Sequence, residues 1–124
     1  MAHKNKILIV ENDHTSYIYY KEVISATGAI IFWAQDGKQG VDIFTEEKDI
    51  DLVIMDIEMP VMNGYEASAA IKKISPSTPI VVLTAYAMRS VKDKVESLNC
   101  DAFITKPIRA NDLLNIVLKY LSIE

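Results

Sequence analysis

Five short runs of bulky, mostly β-branched or aromatic residues recur along the chain: Ile-Leu-Ile-Val at 7–10, Ile-Ile-Phe-Trp at 30–33, Leu-Val-Ile-Met at 52–55, Ile-Val-Val-Leu at 80–83 and Ala-Phe-Ile at 102–104. Each ends at a polar or turn residue, so each reads as a strand. Strands that are almost continuously apolar belong in a parallel sheet covered on both faces. Between the runs lie stretches with helical periodicity. Residues 15–26 carry Tyr20, Val23 and Ile24 and stop at Gly28, a residue suited to ending a helix. Residues 37–47 place Val41 and Phe44 on one face, and 65–74 place Ala67, Ala70, Ile71 and Ile74 there before Pro76. Residues 88–98 carry Val91, Val95 and Leu98; residues 111–121 carry Leu113, Leu114, Val117, Leu118 and Leu121, with polar residues ahead to cap them. The expected fold class is α/β, a (βα)5 doubly wound open sheet with right-handed crossovers.

At 124 residues the chain fits one domain, 1–124, and half of it is apolar, enough for a sizeable core. The net charge of −4 and the scattered Lys and Arg argue against direct nucleic-acid binding, which needs a basic face to displace counterions. No apolar run approaches the roughly 18 residues of a membrane span, and the N-terminus lacks the features of a secretory signal. The single cysteine, Cys100, excludes an internal disulfide. These features predict a cytoplasmic chain with no membrane insertion. Neither His3 nor His14 has ligand spacing, and Trp33 is expected to pack at the sheet edge.

In a doubly wound sheet, ligands bind outside the carboxyl ends of the strands. Polar residues that follow the runs should therefore converge on one rim. They are Glu11, Asn12 and Asp13 after the first run, Asp56 after the third, Thr84 after the fourth and Lys106 with Pro107 after the fifth. Carboxylates gathered together need a cation to stay ionised, and Mg²⁺ takes hard oxygen ligands of this kind. Such an ion could bridge Asp56 and a phosphoryl group, with Lys106 pairing with one phosphoryl oxygen and Thr84 donating a hydrogen bond to another. Asp56 would then be a nucleophile that forms an acyl phosphate. Any one polar residue after a strand is more often a cap or a solvated loop group; four strand ends each supplying a required group is the stronger signal.

The segments Ile-Leu-Ile-Val-Glu at 7–11, Met-Asp-Ile-Glu-Met-Pro-Val-Met-Asn-Gly at 55–64, Leu-Thr-Ala-Tyr-Ala at 83–87 and Phe-Ile-Thr-Lys-Pro at 103–107 resemble the receiver domain of two-component response regulators. In detail they are closest to the receivers of hybrid sensor histidine kinases. The resemblance covers nearly the whole chain and implies a flavodoxin-like sheet of strand order 2-1-3-4-5. It implies that Asp56 is phosphorylated, that Glu11 supports Mg²⁺, and that the backbone carbonyl of Glu58 is a metal ligand. Lys106, Thr84 and Phe103 correspond to the phosphoryl-pairing lysine, the mobile hydroxyl and the aromatic switch, and the Lys106–Pro107 bond is expected to be cis. The implied partner is a sensor histidine kinase or a histidine phosphotransfer domain, and the implied readout surface is the fourth helix, fifth strand and fifth helix. Asn12 departs from the pattern, since the family usually has an aspartate there that binds the metal directly; weaker Mg²⁺ binding is expected. Tyr17 and Ile18, at the apolar start of the first helix, are candidates for docking the kinase.

Two other readings compete. A degenerate receiver acting as a phosphate-independent interaction module has only Asn12 in its favour. A substrate-turning phosphatase would need a second catalytic acid and usually a cap domain, and no glycine-rich nucleotide motif occurs. No DNA-binding segment follows the last helix, so the output is expected to come from a partner, a longer parent chain or onward phosphotransfer.

Overall fold

The computed structural model describes residues 4–57, 62–85 and 100–121. The helix expected over 88–98, and Glu58, Pro60 and Tyr86, lie outside the described residues. Five parallel strands, β1 (Lys6–Val10), β2 (Ile30–Ala34), β3 (Leu52–Asp56), β4 (Ile80–Thr84) and β5 (Ala102–Thr105), form one sheet in the order β2-β1-β3-β4-β5. The described α-helices are α1 (His14–Ile24), α2 (Gly37–Glu46), α3 (Gly64–Ile74) and α4 (Ala110–Tyr120).

Period-two alternation divides the apolar strands between two cores. Ile7, Ile9, Leu52, Ile54, Val81 and Leu83 face one side, against Tyr17, Tyr20 and Ile24 of α1 and Leu113 and Val117 of α4. Leu8, Val10, Val53, Met55, Ile80 and Val82 face the other, against Phe44 of α2 and Ala67 and Ile71 of α3. Every residue of β3 and β4 is buried, which explains why these runs contain no polar residue before their last position. The chain order reverses between β1 and β3, which places the crevice of a doubly wound sheet at their carboxyl ends.

The helix ends follow local chemistry. Asp13, Asp36 and Asn63 cap α1, α2 and α3, each accepting from the backbone N–H three residues on. Asn63 and Glu66 complete a reciprocal capping box, which moves the start of α3 to Gly64, one residue before the expected 65. After α1 a 3-10 turn, Ser25–Thr27, tightens the chain before Gly28, whose φ of +76° is left-handed. The polar cap expected for the last helix is corrected: its N-cap position is Arg109, which makes no side-chain capping bond, while Asn111 and Asp112 already lie within the first turn. Gly64 sits so close to β3 that an added Cβ would stand 2.5 Å from the Asp56 carbonyl oxygen and 2.6 Å from Ile57 Cα. That approach lets α3 begin directly against the strand that carries Asp56.

Candidate functional site

Asp56 is the last residue of β3, in register with Leu83 of β4. Thr84 is the last residue of β4, in register with Thr105 of β5. The strands thus extend one residue beyond the apolar runs at these ends, because the ladder continues: Ile57 N–H donates to the Leu83 carbonyl at 3.1 Å, and Lys106 N–H to the Thr84 carbonyl at 2.7 Å. These bonds carry the Lys106 backbone to the rim beside β4. The Lys106–Pro107 peptide bond is cis.

The side chains meet over the crevice between β1 and β3. Lys106 Nζ lies 3.3 Å from Asp56 Oδ1 and 3.8 Å from Glu11 Oε1. Both acids are buried, with Glu11 at 1% and Asp56 at 2% of full exposure, and Thr84 is fully buried. Glu11 Oε2 accepts the Asp13 N–H at 3.1 Å, while Oε1 has no hydrogen-bond donor among the described residues. Burial raises the Glu11 carboxyl from its ordinary 4.5 to about 7; the negative charge of Asp56 adds to the rise, and the Asp13 N–H and Lys106 work against it. Burial, together with the charges of Glu11 and Asp56, likewise keeps the Tyr20 hydroxyl protonated well above its usual range.

Two acidic side chains and one lysine line the pocket. Among the described residues no group of three or more His, Cys, Asp or Glu forms a metal cluster. That does not disqualify Mg²⁺, which is commonly held by one or two carboxylates with waters and phosphate oxygens filling the rest. The buried Glu11 Oε1, without a hydrogen-bond donor beside Asp56, fits such a hard cation.

The structure brings Glu11, Asp56 and Lys106 into contact and sets Thr84 at the same rim. Asn12 is exposed at the start of the β1–α1 loop. Asp13 does not turn toward the acids: its Oδ2 accepts from Ser16 N at 2.9 Å and Ser16 Oγ at 2.6 Å, which lowers its pKa. Phe103 is half-buried on β5, packed against the α2–α3 core. The two docking candidates part company. Ile18 is 45% exposed, but Tyr17 is only 7% exposed and stacks on Trp33, so Tyr17 is a core residue and is withdrawn as a docking contact. The helix turns by about 100° per residue, and adjacent side chains cannot share a face. Burial raises the Cys100 thiol pKa, the mark of an unreactive cysteine.

Two aromatic residues have site contacts that sequence reasoning missed. Beyond the packing expected of it, Trp33 donates its indole N–H to the Glu11 carbonyl at 2.8 Å. The hydroxyl of Tyr19 donates to the Ile108 carbonyl at 2.9 Å, tying α1 to the loop that follows Lys106. A polar-tipped aromatic beside a rim segment is the only sequence signal for either.

The family described as the response regulator receiver domain matches residues 7–118. The chain is 33% identical over 120 residues to hybrid signal transduction histidine kinase I of Dictyostelium discoideum, a match covering 90% of this chain and 7% of that protein. It is 31% identical over 119 residues to sporulation initiation phosphotransferase F of Bacillus subtilis, covering 96% and 95% of the two chains. It therefore spans a small fraction of the hybrid kinase and nearly all of the phosphotransferase. Among solved structures, it superposes with a TM-score of 0.85 on the receiver domain of sensor histidine kinase PA1611 from Pseudomonas aeruginosa, which carries a magnesium ion coordinated in its active site cleft. That pair is 23% identical and covers 95% of this chain and 98% of the other.

Proposed function

The chain belongs to the response regulator receiver family, and from that premise we propose that it accepts a phosphoryl group on Asp56 from the phosphohistidine of a sensor histidine kinase or a histidine phosphotransfer domain. The observation that carries this reading is the buried Asp56 carboxylate with the Lys106 ammonium 3.3 Å from Oδ1 at the crevice of the sheet. An oxygen of Asp56 attacks phosphorus, the P–N bond to the donor imidazole breaks, and the imidazole departs with the bonding pair and takes up a proton. Lys106, already paired with Asp56, offers its ammonium to a phosphoryl oxygen as charge shifts outward. Thr84 supplies a hydroxyl at the same rim. Glu11, Asn12, Asp56 and the backbone carbonyl of Glu58 would hold Mg²⁺; when bound, the ion screens the carboxylate from the incoming phosphoryl group and stabilises the charge in transfer. The magnesium ion in the PA1611 receiver supports this choice of metal.

The product is a covalently modified signalling domain, with water later hydrolysing the acyl phosphate. Phosphorylation biases the readout surface that the resemblance implies, to which β5 with Phe103 and α4 contribute among the described residues, and partners read it. No described helix is long and apolar enough to cross a membrane; a cytoplasmic setting and one domain over 1–124 complete the reading. The direct test is intact-mass analysis after incubation with acetyl phosphate. The wild type gains one phosphoryl group in Mg²⁺ and little without it, and Asp56→Ala gains none; an unmodified wild type would instead favour the phosphate-independent interaction module that Asn12 suggests.

Asn12 supplies a neutral amide where a carboxylate would add charge. Asn12→Asp is expected to tighten Mg²⁺ binding roughly tenfold, since ligand charge count sets affinity at hard-cation sites; an unchanged dissociation constant in a calorimetric titration would remove Asn12 from the ligand set. Docking is assigned to Ile18. Ile18→Ala should slow transfer from a cognate kinase by about tenfold, the effect of losing one well-packed apolar anchor, while the acetyl phosphate rate holds. Equal loss in both assays would count against a docking role.

A further inference from the structure

Glu11 lies one residue past β1, where pairing with β2 ends at Val10 and Ala34. Its N–H still reaches β2, donating to the Ala34 carbonyl at 2.9 Å. Its carbonyl takes a side-chain donor from the adjacent residue of that same strand, the Trp33 indole N–H at 2.8 Å. The indole is itself fixed. Its ring lies 4.2 Å from that of Tyr17 and 4° from parallel, with His14 5.4 Å away. β2 therefore grips both polar backbone groups of Glu11, and the Asp13 N–H holds carboxylate oxygen Oε2. What remains is Oε1, buried and within 3.8 Å of the Lys106 ammonium.

We propose that Trp33 is a positioning residue for the cation pocket: its N–H holds the backbone at Glu11 so that the Glu11 carboxylate and the adjoining Asn12 amide stand ready before the ion arrives. The inference rests on the Mg²⁺ reading above. Its physical basis is that ordering ligands in advance removes a cost otherwise met on binding. Stacking alone would be served by phenylalanine; the hydrogen bond requires the indole nitrogen.

Mg²⁺ affinity, measured by calorimetry, separates positioning from packing. Trp33→Phe keeps an aromatic ring beside Tyr17 and should weaken Mg²⁺ binding about three- to tenfold, the worth of one neutral hydrogen bond. Its acetyl phosphate rate should return to the wild-type value at saturating Mg²⁺. Phe32→Ala removes a half-buried ring from the same strand on its other face; it should lower Tm and leave Mg²⁺ affinity unchanged. Replacing the Trp33 indole by benzothiophene, which keeps the bicyclic shape and lacks the N–H, should reproduce the loss seen in Trp33→Phe. Wild-type affinity in the benzothiophene variant, or an equal loss in Phe32→Ala, overturns the proposal while leaving the metal reading intact. Failure of the wild type itself to bind Mg²⁺ overturns both.

Discussion

If Asp56 accepts the phosphoryl group as proposed, Lys106→Met should slow its phosphorylation by acetyl phosphate by at least about a hundredfold, the usual consequence of removing one preorganised group that stabilises developing negative charge. The backbone that carries the ammonium is tied on both sides: the Lys106 N–H donates to the Thr84 carbonyl, and the Ile108 carbonyl two residues on accepts from Tyr19. Arginine is a poor substitute, because its planar fork is wider than a point-like ammonium set 3.3 Å from one carboxylate oxygen and 3.8 Å from another. The same substitution moves Mg²⁺ affinity in the opposite direction. Lys106 is a positive charge beside the acids that would hold the ion, so its removal should tighten binding even as transfer slows. Kinetics at several Mg²⁺ concentrations, together with a calorimetric titration, read both effects. A rate within tenfold of wild type at saturating Mg²⁺ would show that Lys106 serves only to neutralise the acids at rest.

The sheet was readable because its strands are apolar on both faces, and the period-two division of Leu8 and Ile9, or Val53 and Ile54, needs no tertiary knowledge once a parallel sheet is assumed. The pocket followed from the same logic, since Glu11, Asp56, Thr84 and Lys106 each stand at the end of such a run. Sequence was least informative where a residue has two functions or where context chooses between equivalent neighbours. Tyr17, Ile18 and Tyr19 are alike in apolar character, but the helix phase relative to Trp33 decides that Tyr17 is buried while Ile18 and Tyr19 stay exposed. Trp33 looked like an edge-packing residue, and packing on Tyr17 is indeed half of its role; its donor to Glu11 becomes visible only once β2 lies beside β1. The start of α4 shows the same limit. A polar residue, Arg109, does stand ahead of the helix at its N-cap, yet its side chain makes no capping bond.

The metal-free protein is expected to lose stability as pH rises from about 4.5 to 7, through Glu11. Its carboxyl titrates near 4.5 in the unfolded chain and at about 7 in the folded one, so between those values the folded state binds the extra proton. An acid raised in this way favours the fold fully below its unfolded pKa, and that contribution disappears as pH climbs through the folded pKa. The span corresponds to about 3 kcal/mol, a large share of the stability of a domain this size. Urea denaturation in chelator at a series of pH values measures it, and Glu11→Gln, which cannot ionise, should flatten the profile over the same window. Mg²⁺ should reverse the trend: an ion that binds only the ionised carboxylate competes with the proton, so its stabilisation grows as pH rises toward 8 and fades below 6. A wild-type profile that stays level from pH 4.5 to 7 would mean that the Lys106 ammonium, 3.8 Å from Glu11 Oε1, already balances the buried acid in the free protein, and a slope that survives in Glu11→Gln would assign it to another group; either result removes Glu11 as the cause.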